Sequence, residues 1–201
     1  MKIQKLTLAN FQISSNCYIL SKDSEAVVID PGIEDQTLYN YLQQNNLNVT
    51  NIVLTHGHFD HWGGLKKLQS LYPNAKLYAS TLDYLWYEVG PNNMYNYEPN
   101  FDFDLNKLNE ITLLGYKFKV LKLPGHSAGS IGLYYNNYLF SGDVLFFQGI
   151  GRTDLLQGDY NTLINSINKI YQLPDDTIVY SGHGRPTTVK HEKQFNPFFR
   201  K

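Results

Sequence analysis

Short apolar runs alternate with segments of helical periodicity along the whole of this 201-residue chain. The runs predict strands over residues 2–9, 17–20, 26–30, 52–55, 76–79, 112–114, 116–121, 131–135, 138–141 and 177–180. Apolar positions that recur every three or four residues predict helices over residues 34–45, 61–71, 82–88, 159–171 and 189–195. Because strands and helices interleave from end to end, the pattern predicts a layered α/β domain rather than a β-sandwich or a helical bundle.

Two of the connections carry a signal of their own. Asn136 and Asn137 separate two apolar runs and predict a tight hairpin turn, because Asn tolerates a positive φ. Residues 90–106 are rich in Asn, Tyr and Pro and form a long segment without a periodic pattern. Loops of that length are typical of functional lids or of disorder, and the sequence leaves both interpretations open.

Composition narrows the class of protein. The 17 basic side chains are balanced by 18 acidic ones, which gives no positive field for a phosphate backbone, so we do not expect a nucleic-acid partner. Cys17 is the one cysteine, which rules out an internal disulfide and favours a reducing compartment. The first residues lack the apolar run of a secretory signal, and no stretch approaches the roughly 18 apolar residues of a membrane span. We therefore expect a single domain over residues 1–201 in the cytoplasm, without a membrane partner and with no indication of its oligomeric state.

Histidine and aspartate side chains follow four of the predicted strands. In α/β sheets, binding sites lie outside the carboxyl ends of the strands, where neighbouring loops meet. Imidazole and carboxylate groups are ligands that Zn²⁺, Fe and Mn²⁺ accept. The side chains at the four strand ends are, in chain order, the group His56, His58, Asp60 and His61, then His126, then Asp143, then His183.

Spacing within the first group indicates two neighbouring metal positions. His56 and His58 are two residues apart, so in an extended stretch both side chains leave on the same face. Asp60 and His61 come where a helix is predicted to begin and are rotated away from that pair. Any one of these histidines could be purely structural, but the whole set at four strand ends favours a metal site.

Other polar and aromatic residues have weaker signals. His191 lies in a polar helical stretch and is predicted to be no ligand. Asp30 reads as part of a strand-ending turn with a structural role. Trp62 either lines the site or packs in the core, and Arg152 and Asp154 either pair with each other or contact a substrate.

The motifs resemble those of the metallo-β-lactamase superfamily. Residues 55–64 read THGHFDHWGG, which is similar to the family signature T-H-x-H-x-D-H-x-G-G, and residues 124–130 read PGHSAGS against P-G-H-T-x-G-S, with Ser127 where Thr is common. Residues 151–155, residues 182–188 and the pair Asn196 and Pro197 resemble the small glyoxalase II-like hydrolases of that superfamily. The resemblance implies a four-layer αββα sandwich with the metals at one edge of two sheets.

The resemblance also implies the ligands and the chemistry. It implies two divalent ions, with Zn²⁺ expected first and Fe or Mn also compatible, and a small-molecule hydroxyacyl thioester as substrate. A water that bridges the two ions would lose a proton near neutral pH and attack the carbonyl, with Asp60 as the catalytic residue that orients it or takes the proton. The implied metal ligands are His56, His58 and His126 in a first site, Asp60, His61 and His183 in a second site, and Asp143 bridging the two.

Several rivals share this fold. A persulfide dioxygenase would hold one Fe(II) with His56, His126 and Asp143, but such enzymes usually lack the glycine pair that this chain keeps at Gly63 and Gly64. A lactonase stays open because the same hydroxide opens a ring ester. A nuclease of the superfamily would need a basic groove and an inserted domain, and a non-catalytic metal protein is disfavoured because every ligand position is filled.

Larger glyoxalase II enzymes add a C-terminal helical domain that helps to hold glutathione. Only 18 residues follow His183 here, so we expect weak binding of a glutathione thioester and a relaxed preference for the thiol. Arg152 and Arg185 are the candidate partners for a carboxylate of that thiol.

Overall fold

A computed structural model describes residues 1–10, 13–88 and 99–199. Within these residues the strands form two six-stranded sheets and one two-stranded ribbon. The first sheet contains, in spatial order, β1 (Lys2–Ala9), β2 (Ser14–Lys22), β3 (Glu25–Ile29), β4 (Asn48–Val53), β5 (Lys76–Ala79) and β6 (Phe103–Asp104). The second sheet contains β7 (Glu110–Leu113), β8 (Tyr116–Lys122), β9 (Ile131–Tyr135), β10 (Tyr138–Gly142), β13 (Ile178–Ser181) and β14 (Thr187–Thr188). Its spatial order is β14-β13-β10-β9-β8-β7. The ribbon pairs β11 (Leu145–Phe146) with β12 (Gly149–Ile150).

Helices cover the outer faces of the sheets. They are α1 (Gln36–Gln44), α2 (Phe59–Trp62), α3 (Leu65–Leu71), α4 (Tyr84–Glu88), α5 (Tyr160–Ile170) and α6 (Val189–Phe195). Short 3₁₀ turns occur at Thr81–Asp83, Leu105–Lys107 and Pro197–Phe199. Among the residues that the structure describes, no helix is long and apolar enough to cross a membrane.

Alternation along β2 shows how the layers form. Cys17 and Ile19 point to one face and pack with residues of α1 and α3, whereas Tyr18 and Leu20 point to the other face and pack against the second sheet. Both faces of β2 are therefore buried, as a sheet in the middle of a layered fold requires. Cys17 is the small core residue that its apolar surroundings predict.

The second sheet is covered in the same way on its far side. One face of α5 places Leu163, Ile167 and Ile170 against Leu139 and Val179 of this sheet. The chain thus has the order helix, sheet, sheet, helix, which confirms the predicted four-layer αββα sandwich.

Local signals fixed several of the element ends. Asp159 is the N-cap of α5 and accepts a hydrogen bond from the backbone N–H of Thr162 at 2.7 Å, as its position before the apolar periodicity predicts. Asn136 and Asn137 have φ values of 45° and 62°, which confirms the tight turn between β9 and β10. Leu114, predicted as the end of a strand, instead has a φ of 52° and belongs to the turn after β7.

The helix predicted over residues 61–71 is wrong as a single element. It is divided into α2 and α3, because the N–H of Gly64 bonds outside the helix, to the turn after β3, instead of to the carbonyl four residues before it. The N–H of Gly64 donates to the carbonyl oxygen of Gly32 at 2.7 Å, and a Cβ on Gly64 would lie 2.8 Å from the carbonyl oxygen of Pro31. The lack of a side chain at Gly64 is what allows this close backbone approach.

The long irregular segment is only partly within the described residues. Residues 89–98 lie outside them, so the two interpretations, a lid or disorder, both stay open there. The last residues, predicted to be irregular, are not, since Phe103–Asp104 pairs with β5 and the 3₁₀ turn Leu105–Lys107 follows. Asp102 anchors this part by accepting hydrogen bonds from Nζ of Lys76 at 2.7 Å and from the N–H of Leu77 at 2.9 Å.

Candidate metal centre

The loops after four strands meet at the edge between the two sheets. β4 of the first sheet leads into the loop with His56 and His58, and α2 follows directly with Asp60 and His61. β8, β10 and β13 of the second sheet lead into the residues His126, Asp143 and His183. All seven side chains predicted from the sequence are therefore brought to one place.

Three imidazoles form the first cluster of donors. The ligand nitrogens of His56, His58 and His126 all lie within 4.8 Å of one another, and Nδ1 of His58 is 2.7 Å from Nε2 of His126. All three side chains are buried. Within the part of the chain that the structure describes, Nε2 of His56 has no hydrogen-bond partner.

One carboxylate and two imidazoles form the second cluster. Oδ2 of Asp60 lies 3.5 Å from Nε2 of His61 and 3.3 Å from Nε2 of His183. The two imidazole nitrogens are 3.4 Å apart. This cluster faces the solvent more than the first, since the side chain of His183 is 34% exposed.

Asp143 lies between the two clusters. Its Oδ1 is 3.4 Å from Nε2 of His61, and its Oδ2 is 3.2 Å from Nε2 of His183 and 3.6 Å from Nε2 of His126. The two oxygens of one buried carboxylate thus reach donors of both clusters, which is the geometry that a bridging ligand needs.

Backbone carbonyls orient two of the rings. Nδ1 of His126 donates to the carbonyl oxygen of Arg152 at 2.8 Å, and Nδ1 of His183 donates to the carbonyl oxygen of Ser14 at 2.6 Å. Each hydrogen bond fixes the plane of its ring and turns Nε2 toward Asp143. Nε2 is therefore the atom that each ring would offer to a metal ion.

Asp30 orients the other pair. Its Oδ1 accepts from the N–H of Thr55 at 2.8 Å, and its Oδ2 accepts from the hydroxyl of Thr55 at 2.7 Å and from Nδ1 of His61 at 3.0 Å. The hydroxyl of Thr55 also lies 3.0 Å from Nδ1 of His56. Asp30 is close enough to His56 and His61 to be grouped with them as a possible ligand, but its oxygens are already engaged by these partners.

The two clusters differ in their protonation. Burial lowers the pKa of His56 well below its ordinary value, and the neighbouring His61 lowers it further. Burial and the nearby ring of His126 likewise lower the pKa of His58 to about 3. Both rings are neutral at physiological pH and have a lone pair available for a cation.

In the second cluster the neighbouring carboxylates have the opposite effect and raise the pKa values of the histidines. Burial opposes the charged form of His61, but Asp143 and Asp60 outweigh it and raise the pKa of His61 well above its ordinary value. Burial also acts against His183, whereas hydrogen bonds to Asp143 and Asp60 raise the pKa of this ring to about 10. The pKa of Asp143 lies well below its ordinary value, because the charge of His61 and the contacts with His183 exceed the effect of burial.

The donor set fits divalent metal ions. The first cluster offers three imidazoles, and the second offers imidazoles with carboxylates, which are the ligand types of zinc sites and also suit iron or manganese. The buried Nε2 of His56, which no described group pairs, is explained if it faces a cation.

Comparison with known proteins agrees with this geometry. A family model described as the metallo-beta-lactamase superfamily matches residues 11–183. The chain belongs to this superfamily. Hydroxyacylglutathione hydrolase GloC of Haemophilus influenzae is 39% identical over 98% of each chain. The crystal structure of the BLEG-1 B3 metallo-beta-lactamase has a TM-score of 0.88 and 38% identity over 100% of both chains. TTHA1623 in a di-iron-bound form has a TM-score of 0.85 and 33% identity, covering 97% of this chain and 99% of that one.

In this metallo-β-lactamase superfamily member, the structure also shows the contacts of residues with weaker sequence signals, namely Trp62, Arg152 and Asp154. Trp62 packs in the core and donates from Nε1 to the carbonyl oxygen of Gly57 at 2.9 Å, so it connects the loop of His56 and His58 to the core. Arg152 and Asp154 form a two-pronged ion pair, with Nε to Oδ1 at 2.8 Å and Nη2 to Oδ2 at 2.7 Å.

His191 and Arg185 lie beside the site rather than in it. The ring of His191 stacks on Phe147 at 4.8 Å, and the guanidinium of Arg185 lies 3.5 Å from the centre of the same ring. His191 belongs to none of the donor groups among the described residues, and its exclusion from the ligands stays a prediction.

Sequence reasoning missed two groups around the first cluster. The ring of Trp86 meets the ring of His58 edge-on at 4.2 Å, and Asp83 is a fully buried carboxylate beside the same loop. Neither follows a strand within a recognisable motif, and both reach the site from the 3₁₀ turn and helix after β5. The sequence predicts only a structural role for Asp30. The structure adds its hydrogen bond with the ring of His61, which orients a proposed ligand.

Proposed function

We propose that the chain is a binuclear metallohydrolase that cleaves hydroxyacyl thioesters. The observation that carries this proposal is the pair of donor clusters joined by Asp143, whose oxygens reach both His61 and His126. The 39% identity to a protein named hydroxyacylglutathione hydrolase supports the thioester as the substrate class.

We propose His56, His58 and His126 as the ligands of one ion, Asp60, His61 and His183 as the ligands of the other, and Asp143 as their bridge. Two bound divalent ions would supply a water of low pKa as nucleophile and would stabilise negative charge on the carbonyl oxygen. Zinc is the proposed ion on the basis of the donor types, and the di-iron form of a protein 33% identical to this one supports iron as the alternative.

Asp60 is the proposed catalytic carboxylate. It is partly exposed, at 13% of its side chain, whereas Asp143 is more buried, so Asp60 is the acid of the pair that a water in the cleft reaches more easily. In hydrolysis the water oxygen bonds to the carbonyl carbon, and the carbon–sulfur bond breaks with its electron pair moving to sulfur. Asp60 would take the proton from water and return it to the departing thiolate, which leaves a carboxylate and a free thiol.

The charges beside the cleft support a relaxed preference for the thiol carrier. The guanidinium of Arg152 is already engaged by Asp154, which weakens it as a partner for a substrate carboxylate. Arg185 is exposed and lies on the loop after His183. One cation of this kind favours an anionic carrier without selecting glutathione tightly.

A panel of substrates tests the proposed class. One acyl group, lactoyl, is offered on glutathione, on coenzyme A and on a small sugar-derived thiol, and thiol release is followed together with the metal content of the purified protein. We expect two ions per chain and hydrolysis of all three esters, with a KM for the glutathione ester well above the low micromolar range. A low micromolar KM for the glutathione ester alone would contradict the relaxed preference.

The same panel separates the rival reactions. A lactone tests ring-ester opening, a β-lactam tests the reaction for which the BLEG-1 B3 metallo-beta-lactamase is named, and oxygen uptake with a persulfide tests the oxidative reaction. Faster turnover of any of these than of every thioester would replace the proposed function.

A further inference from the structure

Asp83 is a buried carboxylate that belongs to neither donor cluster. It ends the 3₁₀ turn Thr81–Asp83, which connects β5 to α4, and its exposed fraction is 0%. It lies more than 20 residues from the nearest proposed ligand in the sequence, so its position beside the site is set by the fold alone.

Both loops of the first cluster donate hydrogen bonds to this one carboxylate. The N–H of Gly57, which separates His56 from His58, donates to Oδ2 at 2.8 Å. From the other loop, the hydroxyl of Ser127 donates to the same oxygen at 2.7 Å, and the N–H of Gly129 donates to Oδ1 at 2.6 Å. Ser127 directly follows His126, so all three donors lie next to proposed ligands or within three residues of one.

The contacts around these donors leave no room for a side chain at Gly57 or Gly129. A Cβ on Gly57 would lie 2.8 Å from the Cβ of Asp83 and 2.8 Å from the Cβ of Trp86. A Cβ on Gly129 would lie 2.6 Å from the Cγ of Asp83. Glycine at both positions lets the loop after β4 and the loop after β8 come close to the 3₁₀ turn that contains Asp83.

We propose that Asp83 is a positioning residue for the first metal ion, because it holds the loop of His56 and His58 in register with the loop of His126. The inference rests on the proposed metal site. The hydrogen bonds of Asp83 go not to the three imidazoles but to Gly57, Ser127 and Gly129, and it acts through these neighbours of the ligands. The two loops come from different sheets, so no shared strand fixes their separation.

A carboxylate suits this role better than its amide. An ionised Asp is an acceptor at both oxygens, and here the two oxygens face three donors. In Asp83→Asn one position becomes an NH₂ group, which would face the backbone N–H of either Gly57 or Gly129. One loop must then retreat, which separates His126 from the pair His56 and His58.

The affinity of the first site is measured with the second site disabled. The His183→Ala background removes a donor from the second cluster only, so Zn²⁺ binding to the first cluster is titrated against a chromophoric chelator. In that background Asp83→Asn is expected to weaken Zn²⁺ binding about tenfold, the lower end of what a lost ligand-supporting contact costs. Substitution of Co²⁺ for Zn²⁺ adds a visible spectrum, which is expected to change because the coordination geometry changes.

Glu192→Gln is the matched control. Glu192 is also a 0% exposed carboxylate with three donors, namely the hydroxyl of Thr187, the N–H of Gln148 and Nδ2 of Asn196. None of its partners belongs to the loops of the first cluster. In the same background this variant is expected to keep the Zn²⁺ affinity within about twofold and to leave the Co²⁺ spectrum unchanged.

Three results would overturn the inference. The first is an unchanged affinity in a folded Asp83→Asn variant, and the second is an equal loss in Glu192→Gln, which would mean general destabilisation. If Asp83→Asn does not fold, Ser127→Ala decides, because it removes one of the three donors, and an unchanged affinity in that variant is the third. If the unaltered chain binds Zn²⁺ but cleaves no thioester, the proposed substrate fails and the role of Asp83 stands; if it binds no divalent ion, the proposed metal site fails instead.

Discussion

The histidines of the metal centre differ in what holds the ring nitrogen that faces away from the cleft. Backbone carbonyls hold His126 and His183, and no substitution at the carbonyl residue removes those contacts. Side chains hold His61 and His56, through Asp30 and Thr55. The orientation of His61 can therefore be tested directly by changing one side chain.

Asp30→Asn is expected to lower kcat/KM about tenfold to a hundredfold. Asp30 has a φ of 52°, which Asn also tolerates, so the variant keeps the backbone while it changes the charge. The new amide would present a donor to Nδ1 of His61. It would therefore disfavour the tautomer that carries its proton on Nδ1 and leaves Nε2 free to bind a metal ion. Steady-state kinetics with a metal-content measurement test this, and Asp23→Asn, at an exposed positive-φ position far from the site, is the control. An equal effect of both variants would mean that Asp30 has no special role.

Asp143→Ala is expected to remove most of the bound metal and to lower kcat/KM by about a hundredfold or more. The reason is that its two oxygens lie within 3.6 Å of three imidazoles from both clusters, and no other described carboxylate does so. Metal analysis and thioester turnover measure the loss.

His191→Ala is the partner experiment, because His191 contacts Phe147 and Gln148 beside the site. We expect its activity to stay within about threefold of the unaltered chain. Near-normal turnover in Asp143→Ala would refute the binuclear mechanism, and a large loss in His191→Ala would refute the ligand assignment.

At the scale of elements, the loop of His126 is fixed by its contact with the start of α5. Gly125 has a φ of 129°, and a Cβ there would overlap the backbone nitrogen and Cα of Leu163. The carbonyl oxygen of Gly125 also accepts from the N–H of Asp159, the N-cap of this helix, at 2.8 Å. The helix start and the ligand loop therefore form one unit.

Gly125→Ala is expected to weaken metal binding as well as stability, because the loop must move away from α5 and carries His126 with it. Gly115→Ala is the control, since Gly115 also has a positive φ of 80° but its nearest neighbour, Nζ of Lys22, would be 3.9 Å from the new Cβ. The control is expected to cost about 1 kcal/mol of unfolding free energy and no metal. Equal metal content in the two variants would show that the contact with α5 does not position His126.

Sequence periodicity predicted the elements that bury a clear apolar face. α6 has the predicted bounds, and α5 lies within its predicted range behind a capping Asp159. β4 begins at Asn48 rather than at residue 52, because its mostly polar first residues pair with β3 in a ladder that no local pattern shows. The shortest strands, such as β6 and β14, were missed for the same reason.

The residues of the candidate site also differ in whether a local pattern predicts them. The seven proposed ligands lie in motifs that follow strands, so the sequence predicts them as a group. Asp83 and Trp86 reach the first cluster only through tertiary contacts, and an isolated Asp or Trp has no local signal for that. Motifs therefore predict the groups that would bind metal, whereas the groups that hold those ligands in place become visible only in the fold.

At the scale of the whole molecule, the metal centre lies across the boundary between the two sheets. His56 and His58 follow a strand of the first sheet, and His126, Asp143 and His183 follow strands of the second. A bound ion would therefore link the sheets at an edge where several imidazoles and carboxylates lie together. Metal binding should contribute to the stability of the complete fold and not only to catalysis.

Removing the metal with a chelator is thus expected to lower the Tm by about ten degrees. An ion whose free concentration exceeds its Kd a thousandfold stabilises the folded state by about 4 kcal/mol, and in a domain of this size each kcal/mol corresponds to a few degrees. Calorimetry with and without chelator measures the gap, and re-addition of Zn²⁺ should restore it. In Asp143→Ala the gap should shrink to a small fraction of its normal value, because the residue that reaches both clusters is gone, whereas His191→Ala should retain it in full. A chelator effect of the same size in Asp143→Ala and in the unaltered chain would mean that the stabilising ion binds elsewhere, and the link between the two sheets through this centre would then be refuted.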